Sequence, residues 1–219
     1  MRHSQRQKNP AENAYRVDNA LTALMTKIRF QSKERPIRSL VVTSSVSGEG
    51  STTISVALAK SIAASGKHVV LVEGNMRHPT LNSIFSGERQ RLGYCDVMDN
   101  KVPLEKAVFR LKIPNLYFMN SGMPKMNPAY VLADERVSDI FGRLRSEFDF
   151  VIFDTPPVAS FVDAAVLAND ADGVILVVRP NAAEVKDLLA AKEELANAGA
   201  RILGICENDY PMNRQRARK

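Results

Sequence analysis

Apolar and polar positions alternate in blocks along this chain. Leu21, Leu24, Met25 and Ile28 recur at three- and four-residue steps, which predicts a helix over residues 11–33 that Pro36 ends. The run S-L-V-V-T-S-S at 39–45 predicts a short strand, and the Ala-rich stretch 52–65, closed by Gly66, predicts a helix. H-V-V-L-V-E-G (68–74), N-L-Y-F-M-N (115–120), F-D-F-V-I-F-D (148–154), G-V-I-L-V-V (173–178) and R-I-L-G-I-C (201–206) read as further strands. Helices are predicted over 128–146 and 182–198, while 75–114 is mixed and broken by Gly93 and Pro103.

The strands are short, almost continuously apolar and separated by helices. That pattern belongs to a parallel sheet covered on both faces. The expected fold is α/β, a doubly wound, mostly parallel sheet with helices on both faces and an N-terminal helical extension. The expected organisation is a basic flexible N-terminus (1–10), a single α/β domain (11–210, its N-terminal helix at 11–33) and a basic C-terminal tail (211–219). Ligands in such sheets sit at the carboxyl ends of the strands, so the loops there are where chemistry is sought.

Composition narrows the classes. With 45% hydrophobic and 25% charged residues in 219, the chain is neither disordered, collagen-like nor disulfide-stapled. Cys95 and Cys206 cannot build a four-thiolate zinc site, and His3, His68 and His78 are scattered. Both cysteines are expected to pack as small apolar residues. Met119, Met123 and Met126 are expected to fill core, and Asp163, Asp170 and Asp172 to cap or connect helices. No apolar run reaches the ~18 residues of a membrane span. The opening M-R-H-S-Q-R-Q-K-N-P has no apolar stretch, so no signal peptide is expected and a cytoplasmic location is.

Charge has an address. Of the net +6, residues 1–9 carry +3 and residues 211–219 carry +4, leaving −1 on residues 10–210. Such ends suit an anionic membrane surface, or they are solvated, soluble termini. Neither end interleaves aromatics for base stacking, so no nucleic-acid partner is expected.

Candidate chemistry begins after the first strand, at Ser45-Val46-Ser47-Gly48-Glu49-Gly50-Ser51-Thr52-Thr53. A phosphate loop needs glycines so that backbone N–H groups converge on the anion, and a helix start to add its dipole. Gly48, Gly50 and the following helix supply both, and Thr52 stands where a hydroxyl would hold magnesium. Ser45 replaces the first glycine of G-x-x-x-x-G-K-[ST], and Ser51 replaces its lysine. From the loop alone, a phosphate cradle and an ordinary strand–helix turn with Ser/Thr capping both stand. Asp154, ending an apolar strand, could hold magnesium beside this loop. Glu73 ends another strand and could help the metal or a hydroxyl nucleophile. Asn208 follows the last strand and could meet a base edge or simply shape a turn.

The order of these pieces resembles the bacterial tyrosine kinases (BY-kinases) of capsule and exopolysaccharide export, a branch of the MinD-type P-loop ATPases, over about residues 12–210. Their phosphate loop reads like S-x-x-x-G-E-G-K-S-T, and Ser45 to Thr53 resemble it apart from Ser51. Their second motif, apolar residues then D-x-D-x-R, resembles Val69 to Arg77, followed by His78-Pro79. Their strand ending D-x-P-P matches Phe150 to Pro157, and Gly122-Met123-Pro124-Lys125-Met126-Asn127-Pro128 resembles G-x-x-P-P-N-P.

The resemblance implies a P-loop NTPase site. Gly48, Glu49, Gly50, Ser51, Thr52, Thr53, Arg77 and Asn208 would bind ATP or ADP, Asn208 at the adenine. Thr52, Glu73 and Asp154 would hold Mg, Glu73 and Asp154 would be catalytic, and Tyr210 would be the phosphoacceptor. It also implies a partner, the cytoplasmic end of an inner-membrane polysaccharide co-polymerase, with the chain peripheral to that membrane, and a homo-oligomer.

The departures fall on the chemistry. Ser51 stands for the lysine, Glu73 and Asn75 for the two aspartates, and Asn19, Thr22 and Met25 for the E-x-x-R-x-x-R of the family's oligomer helix. The family's tyrosine-rich tail is here Tyr210 alone, followed by basic residues. The expectation is therefore a kinase-like protein that binds nucleotide weakly, phosphorylates slowly or not at all, and regulates the co-polymerase. An active tyrosine autokinase and a plain MinD-type ATPase are the alternatives.

Overall fold

A computed structural model of the protein describes residues 10–33, 35–85, 92–123 and 127–208, with side chains of the first helix from residue 19 onward. In chain order the elements are α1 (Pro10–Gln31), β1 (Ser39–Ser44), α2 (Ser51–Ala64), β2 (Val69–Glu73), α3 (Leu81–Phe85), α4 (Tyr94–Met98), α5 (Leu104–Ala107), β3 (Val108–Arg110), β4 (Leu116–Met119), α6 (Pro128–Leu132), α7 (Glu135–Glu147), β5 (Phe150–Asp154), α8 (Asp163–Ala168), β6 (Gly173–Val178), α9 (Val185–Asn197) and β7 (Ile202–Glu207).

The strands form one sheet in the order β3-β4-β2-β5-β1-β6-β7. Every pairing is parallel except β3 with β4. Strand pleating sends alternate residues to opposite faces. Leu40, Val42, Leu71, Ile152 and Ile175 share one core with Ile28, Leu58 and Ile62, so α1 and α2 cover that face. Val41, Val70, Val72, Phe153 and Leu176 share the other with Phe141, Leu144, Leu167 and Leu195 of α7, α8 and α9. This is the doubly wound α/β sheet expected from the sequence.

Carboxylates fasten the end of the sheet away from the loops of interest. Asp172 Oδ2 accepts the N–H groups of Arg38 (2.8 Å) and Ser39 (2.9 Å) and the Ser39 hydroxyl (2.8 Å), tying β1 to the chain before β6. Asp149 accepts the His68 N–H at 2.9 Å and does the same for β2 and β5. Asp170 accepts the Ser138 hydroxyl at 2.8 Å.

Several expectations need correction. The helix expected over 128–146 is two, α6 and α7. Asp134 turns out of the first and caps the second, its carboxylate accepting the Arg136 N–H at 2.9 Å. An edge strand, β3, lies inside the stretch read as mixed. Asp163 does not cap by its side chain; it is fully buried and ion-paired with Arg77. Met123 is 78% exposed and fills no core, whereas Met119 is buried; Met126 lies outside the described residues.

Candidate functional site

The sheet's carboxyl edge gathers the residues singled out by sequence. Between β1 and α2 the loop turns through Gly48 and Gly50, at φ +86° and +90°, conformations that suit glycine. Gly50 has a second reason to be glycine: a Cβ there would stand 2.3 Å from Asn208 Nδ2. Glu49 lies wholly inside the loop. Its Oε2 accepts the Ser45 hydroxyl (2.6 Å) and the Val46 N–H (2.9 Å), and its Oε1 accepts the Arg179 N–H (3.2 Å). These bonds brace the loop against the end of β6. Asn208 braces it against β7, its Nδ2 donating to the Glu49 carbonyl at 2.9 Å and its own N–H to Val178 O at 2.7 Å.

Helix α2 begins at Ser51, directly after Gly50, and Thr53 is exposed upon it. Thr52 and Ser55 lie three residues apart on one helical face. Thr52 Oγ1 donates to Asp154 Oδ2 at 2.7 Å, and Ser55 Oγ lies 2.8 Å from Asp154 Oδ1. Sequence reasoning missed Ser55. The available signal was its position one turn after Thr52.

Glu73 and Asp154 are register partners in the parallel β2–β5 pair, so both carboxyls leave the same face at the same level. Both are buried. Burial raises the Asp154 pKa to about 6, against the hydrogen bonds from Thr52 and Ser55. Burial first, and then the Asp154 charge, push Glu73 up to about 8, against the backbone N–H groups of Leu81, Asn75 and Thr80. Glu73 Oε2 accepts the Leu81 N–H at 2.9 Å, while Oε1 is buried with no hydrogen-bond partner.

This donor set fits magnesium. Two carboxylates and a hydroxyl are hard oxygen ligands, and Glu73, in register with Asp154, keeps one buried oxygen without a partner. Magnesium typically takes one or two carboxylates and completes its shell with water and phosphate oxygens. Among the described residues no group of three or more His, Cys, Asp or Glu could hold a metal alone, so water or phosphate oxygens would complete the shell.

Arg77 stands apart. Its Nε and Nη2 reach the two oxygens of Asp163 at 3.1 and 3.2 Å, and Nη2 lies 3.4 Å from Asn127 Oδ1. Its guanidinium stacks over Phe161 at 4.2 Å. These contacts turn it toward α8. Asn75 is used in a local turn, its Oδ1 accepting the His78 N–H at 3.0 Å. Thus Thr52, Glu73 and Asp154 come together, Asn208 joins the loop, and Arg77 does not. Tyr210 lies outside the described residues.

Known proteins share this architecture. The AAA domain family matches residues 37–197. The tyrosine-protein kinase YwqD of Bacillus subtilis (strain 168) is 33% identical over 191 residues, which cover 87% of this chain and 80% of that protein. The kinase domain of the Escherichia coli tyrosine kinase ETK superposes with a TM-score of 0.82 at 26% identity, covering 87% of this chain and 74% of that one. The septum site-determining protein MinD of Pyrococcus horikoshii OT3, solved with Mg-ADP, shares the fold, with a TM-score of 0.68 at 21% identity, covering 81% of this chain and 72% of that one. With a glycine-turned loop at β1, an aspartate ending β5 and relatives alike over most of their length, the chain belongs to the bacterial tyrosine kinase family of P-loop ATPase fold.

Proposed function

We propose that this protein is a kinase-like regulator of exopolysaccharide or capsular polysaccharide synthesis and export that binds nucleotide weakly and transfers phosphoryl groups slowly or not at all. One observation carries this reading: Ser51 occupies the lysine position, and Arg77, the one cation among the residues the resemblance implies at the nucleotide, is committed to Asp163. A lysine facing a polyphosphate contributes charge-assisted hydrogen bonds of roughly 1.5–3 kcal/mol each. Its absence weakens ATP binding about tenfold to a hundredfold, at ~1.4 kcal/mol per decade. It also removes a preorganised charge where the transition state needs one. Asn75 cannot serve as a carboxylate base. The backbone cradle and the Thr52–Asp154 pair remain, which supports residual binding of ATP or ADP with Mg.

In this reading residues 11–210 act as one unit that docks on the cytoplasmic end of an inner-membrane polysaccharide co-polymerase, as the family resemblance implies. The basic ends would favour the anionic inner leaflet at about 1 kcal/mol per nearby basic residue. No helix among the described residues is long and apolar enough to cross a membrane.

Calorimetric titration with ATP and ADP, with and without magnesium, tests the proposal. The natural chain is expected to bind weakly and Ser51→Lys about tenfold to a hundredfold more tightly, by the same arithmetic. Tight, magnesium-dependent binding by the natural chain would sink it. The clustering of Thr52, Glu73 and Asp154 favours a second reading, an active autokinase with Tyr210 as acceptor. Magnesium-dependent appearance of phosphotyrosine distinguishes it from both the first reading and a plain MinD-type ATPase.

A further inference from the structure

Two hydroxyls of α2 divide one buried carboxylate between them. Thr52 donates to Asp154 Oδ2 at 2.7 Å, and Ser55 stands 2.8 Å from Oδ1. We propose that Ser55 is a positioning residue for Asp154, fixing the plane of its carboxylate for the divalent cation that the Glu73–Asp154 edge would bind. The proposal rests on the reading of that edge as the cation side of a nucleotide site.

Three observations lead there. First, Ser55 is fully buried on the helix face that meets β5, so its hydroxyl bonds within the protein. It has two acceptors in reach, Ser51 O at 3.0 Å and Asp154 Oδ1 at 2.8 Å, and the shorter bond, to an acid oxygen, is the stronger kind. Second, the terminal torsion of an aspartate is broad and soft, so one hydrogen bond leaves the carboxylate free to swing. Two bonds to opposite oxygens, from donors on one helix, define its plane. Third, Glu73 on the neighbouring strand offers an unpartnered buried oxygen at the same level. A cation shared by the two acids needs Asp154 held at a fixed tilt to Glu73.

Partners that orient a metal-binding group typically change metal affinity about 10–100-fold when removed. With serine in place of the loop lysine, the cation side would carry a larger share of whatever affinity remains. The hydroxyl of Ser55 is then part of the site's function as well as of the core.

The test uses the full chain and its Ser55→Ala variant. In metal-free protein, the carboxyl carbon of Asp154 is followed by carbon-13 NMR. Mn²⁺ alone, standing in for Mg²⁺, is then titrated and read by electron paramagnetic resonance. The Asp154 carbon signal is expected to move in the variant, and Mn²⁺ affinity to fall about 10–100-fold. An unmoved carbon signal, or an unchanged Mn²⁺ affinity, overturns the proposal. Should the natural chain take up no Mn²⁺ while the Asp154 signal still answers to Ser55→Ala, the cation reading of the edge fails and the carboxylate clamp stands.

Discussion

Glu73 shows how a single methylene alters a site. As the longer acid it reaches back to the Leu81 N–H while still facing Asp154, and its burial makes the neutral form the stable one near neutrality. The consequence for stability has a definite sign. In the unfolded chain the carboxyl loses its proton near 4.5, and in the folded chain near 8. Between those values the native state holds a proton that unfolding releases, so stability is complete below 4.5 and declines as pH rises toward 8. Asp154 adds the same sign between 3.8 and about 6. Glu73→Gln removes the larger part of this slope. Urea midpoints at pH 5 and pH 8 are expected to lie closer together in the variant, with the gain at pH 8. A variant slope equal to the natural one would show that Glu73 ionises freely in the native fold.

At the scale of elements, the strands β1, β2, β5 and β6 were legible because burial on both faces forces near-continuous apolar runs. Strand β3 was not, because two half-buried residues, Val108 and Phe109, and the exposed Arg110 carry no period. The break between α6 and α7 was hidden because Asp134 sits in a helix-compatible stretch and declares itself only by capping. At the site, Thr52, Glu73 and Asp154 were legible since strand ends and helix starts fix them. The Arg77–Asp163 pair was not, because 86 residues separate the partners.

Two outcomes belong to this scale. Leu58 anchors α2 in the core beneath the loop and is wholly buried, so Leu58→Ala is expected to cost about 2–5 kcal/mol in chemical denaturation. Asp134 is held at about 2 by the Arg136 guanidinium and N–H, below its ordinary 3.8. Its stabilisation of α7 is therefore present above 3.8 and fades as pH falls through about 2. Asp134→Ala is expected to lower the melting temperature at pH 6 and to lower it markedly less at pH 2, where the carboxylate is partly protonated.

For the whole molecule, the exposed flank of α1 sets an expectation about assembly. Asn19 and Thr22 are exposed and Met25 half-buried where the family's oligomer helix carries charged residues. The isolated chain is expected to scatter light without forming a ring through α1. A ring of that kind in dilute solution would refute the reading of this helix.

The order of strands in the sheet also sets an order in time. Strand β1, which carries the phosphate loop, pairs with β5 and β6 and with no strand made before them: Ser39 lies against Val151, and Leu40 against Gly173. Contacts so distant in sequence form late. On a ribosome, the loop that gives the family its chemistry waits unpaired until more than half the chain has emerged. Nascent chains stalled before β5 are expected to be cut by protease near Gly48 and Gly50, and those released after β7 to resist. The β1 loop of this topology therefore takes its place only after β5 and β6 have been made.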